Sequence, residues 1–174
     1  MTEPVAKPER VAVSAGRRGL ARLSAVQALY QIELTSAEPK AVVTEFATHR
    51  LGQEIDGDRY ADADRAFFGD LVGGASARRA DVDGAVSAAL PADWPLPRLE
   101  AVLRAILRAG AYELLARADV PGPVIINEYV EIARAFYDGK EPGMVNGVLD
   151  RVARTLRPEE GLARNPRDGD PQPR

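Results

Sequence analysis

Cysteine is absent from the 174 residues, and histidine occurs once, at His49. The first absence excludes disulfide frameworks, thiol nucleophiles and Cys-ligated metals. The second leaves His49, next to Arg50, with no second histidine for a metal and no nearby Ser/Asp arrangement for a triad. No apolar run approaches the 18 or so residues of a membrane span, and residues 1–16 lack the apolar core of an export signal. The one glycine-rich stretch, GDLVGGASARR, lacks the Lys-Ser/Thr that closes a phosphate loop. Nothing in the motifs asks for a cofactor or a metal. A formal net charge of −3 excludes a chain basic throughout, although a local basic patch survives such averaging. Together these absences predict a soluble, cytoplasmic, non-enzymatic protein.

What is present is the balance of a globular domain, 45% hydrophobic and 28% charged residues. The chain is long enough to bury a core without covalent staples. Both ends are polar and proline-bearing, so residues 1–16 read as a disordered basic arm and 158–174 as a disordered tail. Between them, apolar residues recur at helical spacing. The pattern predicts helices over 17–34, 41–51, 62–80, 81–90, 96–117, 124–137 and 144–156, an all-α bundle of about seven. On the first, Leu23, Val26, Tyr30 and Leu34 share a side. On the fifth, Leu99, Val102, Leu103, Ile106, Leu107, Gly110 and Leu114 share a face, where Gly110 lets another helix approach closely. The sixth turns Ile125, Tyr129, Ile132, Ala133 and Phe136 inward. The last carries a stripe of Val145, Val148, Leu149, Val152 and Leu156.

Two carboxylate pairs, Asp62/Asp64 and Asp81/Asp83, stand at predicted helix starts. Residues two apart on a helix diverge by about 200°, so neither pair can grip one substrate atom. Capping and the helix dipole explain them.

The arginines are less easily explained. Arg17, Arg18 and Arg22 open the first helix, behind Lys7 and Arg10 in the arm, and cations there oppose the helix dipole. Such a placement is one way to hold phosphates. Leu29 and Ile32 lie near the Arg18/Arg22 side, which predicts contact on two faces of this helix, with the core and with a second lobe or a partner. Gln27 and Tyr30 are candidate base contacts at the rim. Arg104 and Arg108 form another i,i+4 pair on the polar side of the central helix, and with Leu29 and Ile32 they make up the expected partner interface. Asn146-Gly147, on the polar side of the last helix, allows two explanations. Another chain coming close to the backbone there is one, a helix that begins at Asn146 as its N-cap is the other, and the two are not exclusive.

The segments SAVQALYQIEL, LRAILRAGAYELL, DVPGPVIINEYVEIARAF and MVNGVLDRVARTLRP, in this order and spacing, resemble the NusB family of transcription antitermination factors over about residues 17–158. The resemblance implies two small helical subdomains without enzymatic activity. It implies binding to the single-stranded boxA element of ribosomal RNA leader transcripts, as a heterodimer with the small-subunit ribosomal protein NusE, so that RNA polymerase reads through terminators. The RNA-contacting role then falls on Arg17, Arg18 and Arg22, with Gln27 and Tyr30 beyond them. It extends to the last helix at Lys140, Met144 and Asn146; Gly143 and Met144 stand where relatives commonly carry a basic and an aromatic residue. A helical protein-interaction module with no RNA binding of its own is the alternative.

Overall fold

The computed structural model describes residues 16–51, 54–55, 58–59 and 63–160. Among these are seven α-helices: α1 Arg17–Thr35, α2 Pro39–His49, α3 Arg65–Ala77, α4 Arg79–Ala89, α5 Ala101–Ala116, α6 Gly122–Phe136 and α7 Glu141–Leu156. Short 3-10 turns at Leu96–Arg98 and Pro158–Glu160 and a minimal antiparallel ladder, β1 Glu54–Ile55 on β2 Asp58–Arg59, complete the chain. Residues 1–15 and 161–174, which hold most of the expected arm and tail, lie outside the described residues, as does Asp62.

The bundle is organised around α5. Its predicted face is buried throughout, and Ala105, Ala109 and Ala111 are buried as well, so this helix meets protein on nearly every side. α1 and α3 pack on it and on each other, as do α6 and α7, while α4 packs on both α5 and α7. The two helical groups share one continuous hydrophobic cluster. At the centre of that cluster a Cβ at Gly110 would stand 2.8 Å from Leu149 Cδ1 and 3.2 Å from Tyr129 Cδ2. The missing side chain is what allows α6 and α7 to close on α5.

Local chemistry explains where the boundaries moved. Asp64 caps α3, its side chain accepting from the Phe67 amide at 3.0 Å. Pro95 and Pro97 break the predicted fifth helix into a 3-10 turn and α5. Pro142 sits in the first turn of α7, where its lost N–H has no helical partner to miss, so α7 starts at Glu141. Asn146 is therefore inside the helix, and its reading as an N-cap is overturned.

The tail boundary moves for a different reason. Arg157 is buried, and its guanidinium donates to the carbonyls of Glu113, Leu114, Arg117 and Val120 at 2.6–3.2 Å. A cation at the C-terminal end of α5 complements the helix dipole there and bonds carbonyls of its last turn and of the turn that follows. Glu160 then bonds Arg157 at 2.8 Å and accepts from the Gly122 amide at the start of α6 at 3.0 Å. Residues 158–160, expected in the tail, thus belong to the folded body.

Candidate RNA interface

The exposed start of α1 is the natural place to begin. Its N-cap, Gly16, offers no side-chain cap, and Arg17 and Arg18 are exposed. The Arg18 side chain keeps 44% of its accessibility. It lies 3.8 Å from Asp64 and 3.6 Å from Asp119, with its guanidinium carbon 4.7 Å from the centre of the Phe67 ring. These carboxylates offset the unfavourable placement of cations at a helix N-terminus.

Arg22, one turn on, is a different object. Its expected place on the RNA surface is contradicted, since only 4% of the residue is exposed. Its Nε donates to both oxygens of Glu113 at 3.1 and 3.0 Å and its Nη2 to Oε1 at 2.6 Å. Glu113 is fully buried and also accepts from the Tyr129 hydroxyl at 2.8 Å. Burial by itself would lower the Arg22 pKa, but the Glu113 bonds outweigh it and hold the guanidinium above its ordinary value. Burial and the Glu113 charge likewise push the Tyr129 hydroxyl well up. This network ties α1, α5 and α6 together and turns Nε and Nη2 of Arg22 inward, with Nη1 3.7 Å from Glu128.

The expected partner interface is also turned inward. Leu29 is buried in the core and Ile32 packs against it, because α1 is covered by both α3 and α5. The two-faced pattern of this helix reports two helices of its own chain, α3 and α5, that pack on it. Leu34, in contrast, is 58% exposed, since the apolar side it shares with Leu23 is left uncovered in the last turn. Arg104 and Arg108 are spent within the bundle. Arg104 bonds Glu33 and the Leu99 carbonyl. Arg108 reaches Glu33 at 2.9 Å and grips Asp83 with two bonds at 2.7 and 3.1 Å. Against a burial effect that raises it, these arginines bring the Glu33 pKa below its ordinary value. They staple α1, α4 and α5.

Gln27 and Tyr30 are half-buried, Tyr30 against the core. The three positions expected on α7 separate. Lys140 and Met144 are one turn apart, with the Lys140 ammonium 5.2 Å from the centre of the Trp94 ring and Met144 packed on the core. Asn146 points away from them, into a groove of about 510 Å³ between α6 and α7 that Asn127, Arg134, Gly143 and Asp150 also line. Above Gly147 there is open space, with no atom within 4 Å of where a Cβ would be. Neighbours of its own chain do not require the glycine.

Sequence reasoning missed Phe67 and Arg117, which meet the arginines of α1. The guanidinium carbons of Arg18, Arg22 and Arg117 all lie within 5.0 Å of its ring centre. Arg117, the C-cap of α5, bonds Asp119 at 3.0 Å and approaches Asp70 at 3.4 Å. The ion pairs at this end set five carboxylates, Asp64, Asp70, Asp119, Glu113 and Glu128, against three guanidiniums. An Arg-x-Asp in a turn gives no periodic signal, so only the fold brings Arg117 to α1.

The fold thus defines an all-α module wound on a buried central helix and carrying arginines at one rim. Among the described residues no group of His, Cys, Asp and Glu is placed to hold a metal ion, and no helix is long and apolar enough to cross a membrane. The NusB family profile matches residues 20–154, and the chain belongs to the NusB family. It is 49% identical over 158 residues to the transcription antitermination protein NusB of Rhodopseudomonas palustris, covering 91% of this chain and 92% of that one. To the protein of the same name from Agrobacterium fabrum it is 51% identical over 157 residues, covering 90% and 92%. Among solved structures, T. maritima NusB superposes with a TM-score of 0.69 at 28% identity, over 85% of this chain and 99% of that one. A crystal structure of the antitermination factors NusB and NusE in complex with double-stranded RNA matches at 0.65 and 25% identity, covering 80% and 96%.

Proposed function

We propose that this protein is a cytoplasmic transcription antitermination factor with no catalytic activity of its own. It binds boxA-type RNA of ribosomal RNA leader transcripts together with the ribosomal protein NusE, and so promotes read-through by RNA polymerase. The observation that carries the reading is half-identity, over nine-tenths of the chain, to proteins named for antitermination. The exposed Arg17 and Arg18 supply the phosphate contact, with the basic arm of residues 1–16 ahead of them in sequence. Bases are read at the neighbouring rim by stacking and edge hydrogen bonds.

One observation favours the second reading, a protein-interaction module without RNA binding of its own: carboxylates outnumber guanidiniums in the ion pairs around Phe67. Anisotropy of a labelled boxA-type single-stranded RNA decides between them, measured at two salt concentrations with and without NusE, and repeated with a duplex form because the related complex holds double-stranded RNA. Salt-sensitive binding strengthened by NusE is the expected result. No binding to either RNA, with NusE present, would leave only the protein-interaction module.

A further inference from the structure

Arg18 and Arg117 come from helices far apart in sequence, yet both guanidiniums approach the Phe67 ring, at 4.7 and 5.0 Å, and both pair with one carboxylate. That carboxylate is Asp119, 3.0 Å from Arg117 and 3.6 Å from Arg18. Asp119 is half-exposed and belongs to no helix. It lies in the turn between α5 and α6, two residues from Arg117, to which it is hydrogen-bonded. The arrangement is two convergent guanidiniums on an aromatic floor, with Asp119 as the anion they share.

We propose that Arg18 and Arg117 together form a site for one RNA phosphodiester, and that Asp119 occupies it in the free protein. The inference rests on the RNA-binding reading above and adds to it a contact residue, Arg117, and a residue that sets affinity, Asp119. Geometry favours the exchange. A phosphate, like a carboxylate, offers oxygens to paired guanidinium donors and takes the same planar approach. The pairs that Asp119 makes are exposed at Arg18 and Asp119 and partly exposed at Arg117, and such pairs contribute little, so RNA can displace them. Asp64 is less easily displaced, because it also caps α3. Asp70 is tied to the Tyr112 hydroxyl at 2.7 Å. Asp119 is therefore the carboxylate that yields.

The test is a double-mutant cycle in the full-length chain, read by anisotropy with labelled boxA-type single-stranded RNA and NusE. Asp119→Asn removes the competing charge and keeps the shape, and should tighten RNA binding by roughly two- to fivefold, the span of an exposed ion pair. In an Arg18→Ala background the same substitution should give no such gain. Arg117→Ala should weaken binding and make the dependence of log K on log salt shallower by about 0.7, the loss of one phosphate contact on a single strand. Equal gains from Asp119→Asn with and without Arg18 would overturn the proposal, reducing Asp119 to a general repulsive charge. So would an affinity that Asp119→Asn leaves unchanged. Failure of the wild-type chain to bind RNA would instead overturn the underlying functional reading.

Discussion

The two ends of α1 each carry a cluster of arginines and carboxylates, and the two clusters behave differently. At the C-terminal end, Glu33 is held by Arg104 and Arg108, and Arg108 also grips Asp83; the side chains of Glu33, Arg104 and Arg108 retain 12–21% of their exposure. At the N-terminal end, the cluster divides within a single turn. Arg22 faces inward to a fully buried Glu113, whereas Arg18 stays at the rim with Asp64 and Asp119 at 3.6–3.8 Å. The pairs use the same two kinds of charge. What distinguishes them is how much water remains, which decides whether an ion pair holds helices together or can be exchanged for a ligand.

Four experiments break or sharpen this contrast. The largest effect is expected from Arg22→Ala, which leaves Glu113 charged and unpaired in the core and should cost about 3–5 kcal/mol in chemical denaturation. A loss below about 1 kcal/mol would mean that water reaches Glu113. Gly110→Leu attacks the same cluster from behind. The new side chain meets Leu149 and Tyr129, displacing the hydroxyl that bonds Glu113, and should cost about 1–3 kcal/mol or more. An unaltered melting curve would refute the packing of α5 described above.

Arg108→Ala, at the other end of the helix, should cost about 1.5–3 kcal/mol, in the range of hydrogen bonds to charged groups. That loss carries a pH signature. The Glu33 pKa is lower folded than unfolded, so the stabilisation is present above the ordinary glutamate range and is lost as pH falls through the depressed folded value. The gap between wild type and Arg108→Ala should therefore narrow on acidification, and urea titrations across that range would show it. A constant gap would assign the effect to packing alone. Arg18→Ala should change stability least, by less than about 1 kcal/mol, while weakening RNA binding. A large stability loss there would erase the distinction between rim and core. Combining Arg18→Ala with Arg22→Ala is the wrong test of RNA binding, because the second substitution removes a support of the fold.

The helices were the most legible part of the chain. The stripes on α5, α6 and α7 are buried as their periodicity predicts except at Phe136 and Leu156, which are only partly covered, because a 3.6-residue repeat of large apolar groups admits few other arrangements. Proline chemistry moved the start of α7 and divided the fifth helix. The docking of Glu160 on α6, and the room Gly74 leaves for the Tyr112 ring, left no trace in local pattern. Of the site, the position of Arg17 and Arg18 at an exposed helix end was readable. The inward turn of Arg22, the internal engagement of Leu29, Ile32, Arg104 and Arg108, and the convergence of Arg117 on Arg18 were not.

That division has a physical reason. The sequence by itself determined the elements, their inner faces and the likeness to NusB, because these depend on the order and spacing of side chains along one helix. Only the tertiary structure decided what each arginine does. A guanidinium looks the same at every position in a sequence, and its role depends on which carboxylates, rings and waters surround it once helices from distant parts of the chain have packed.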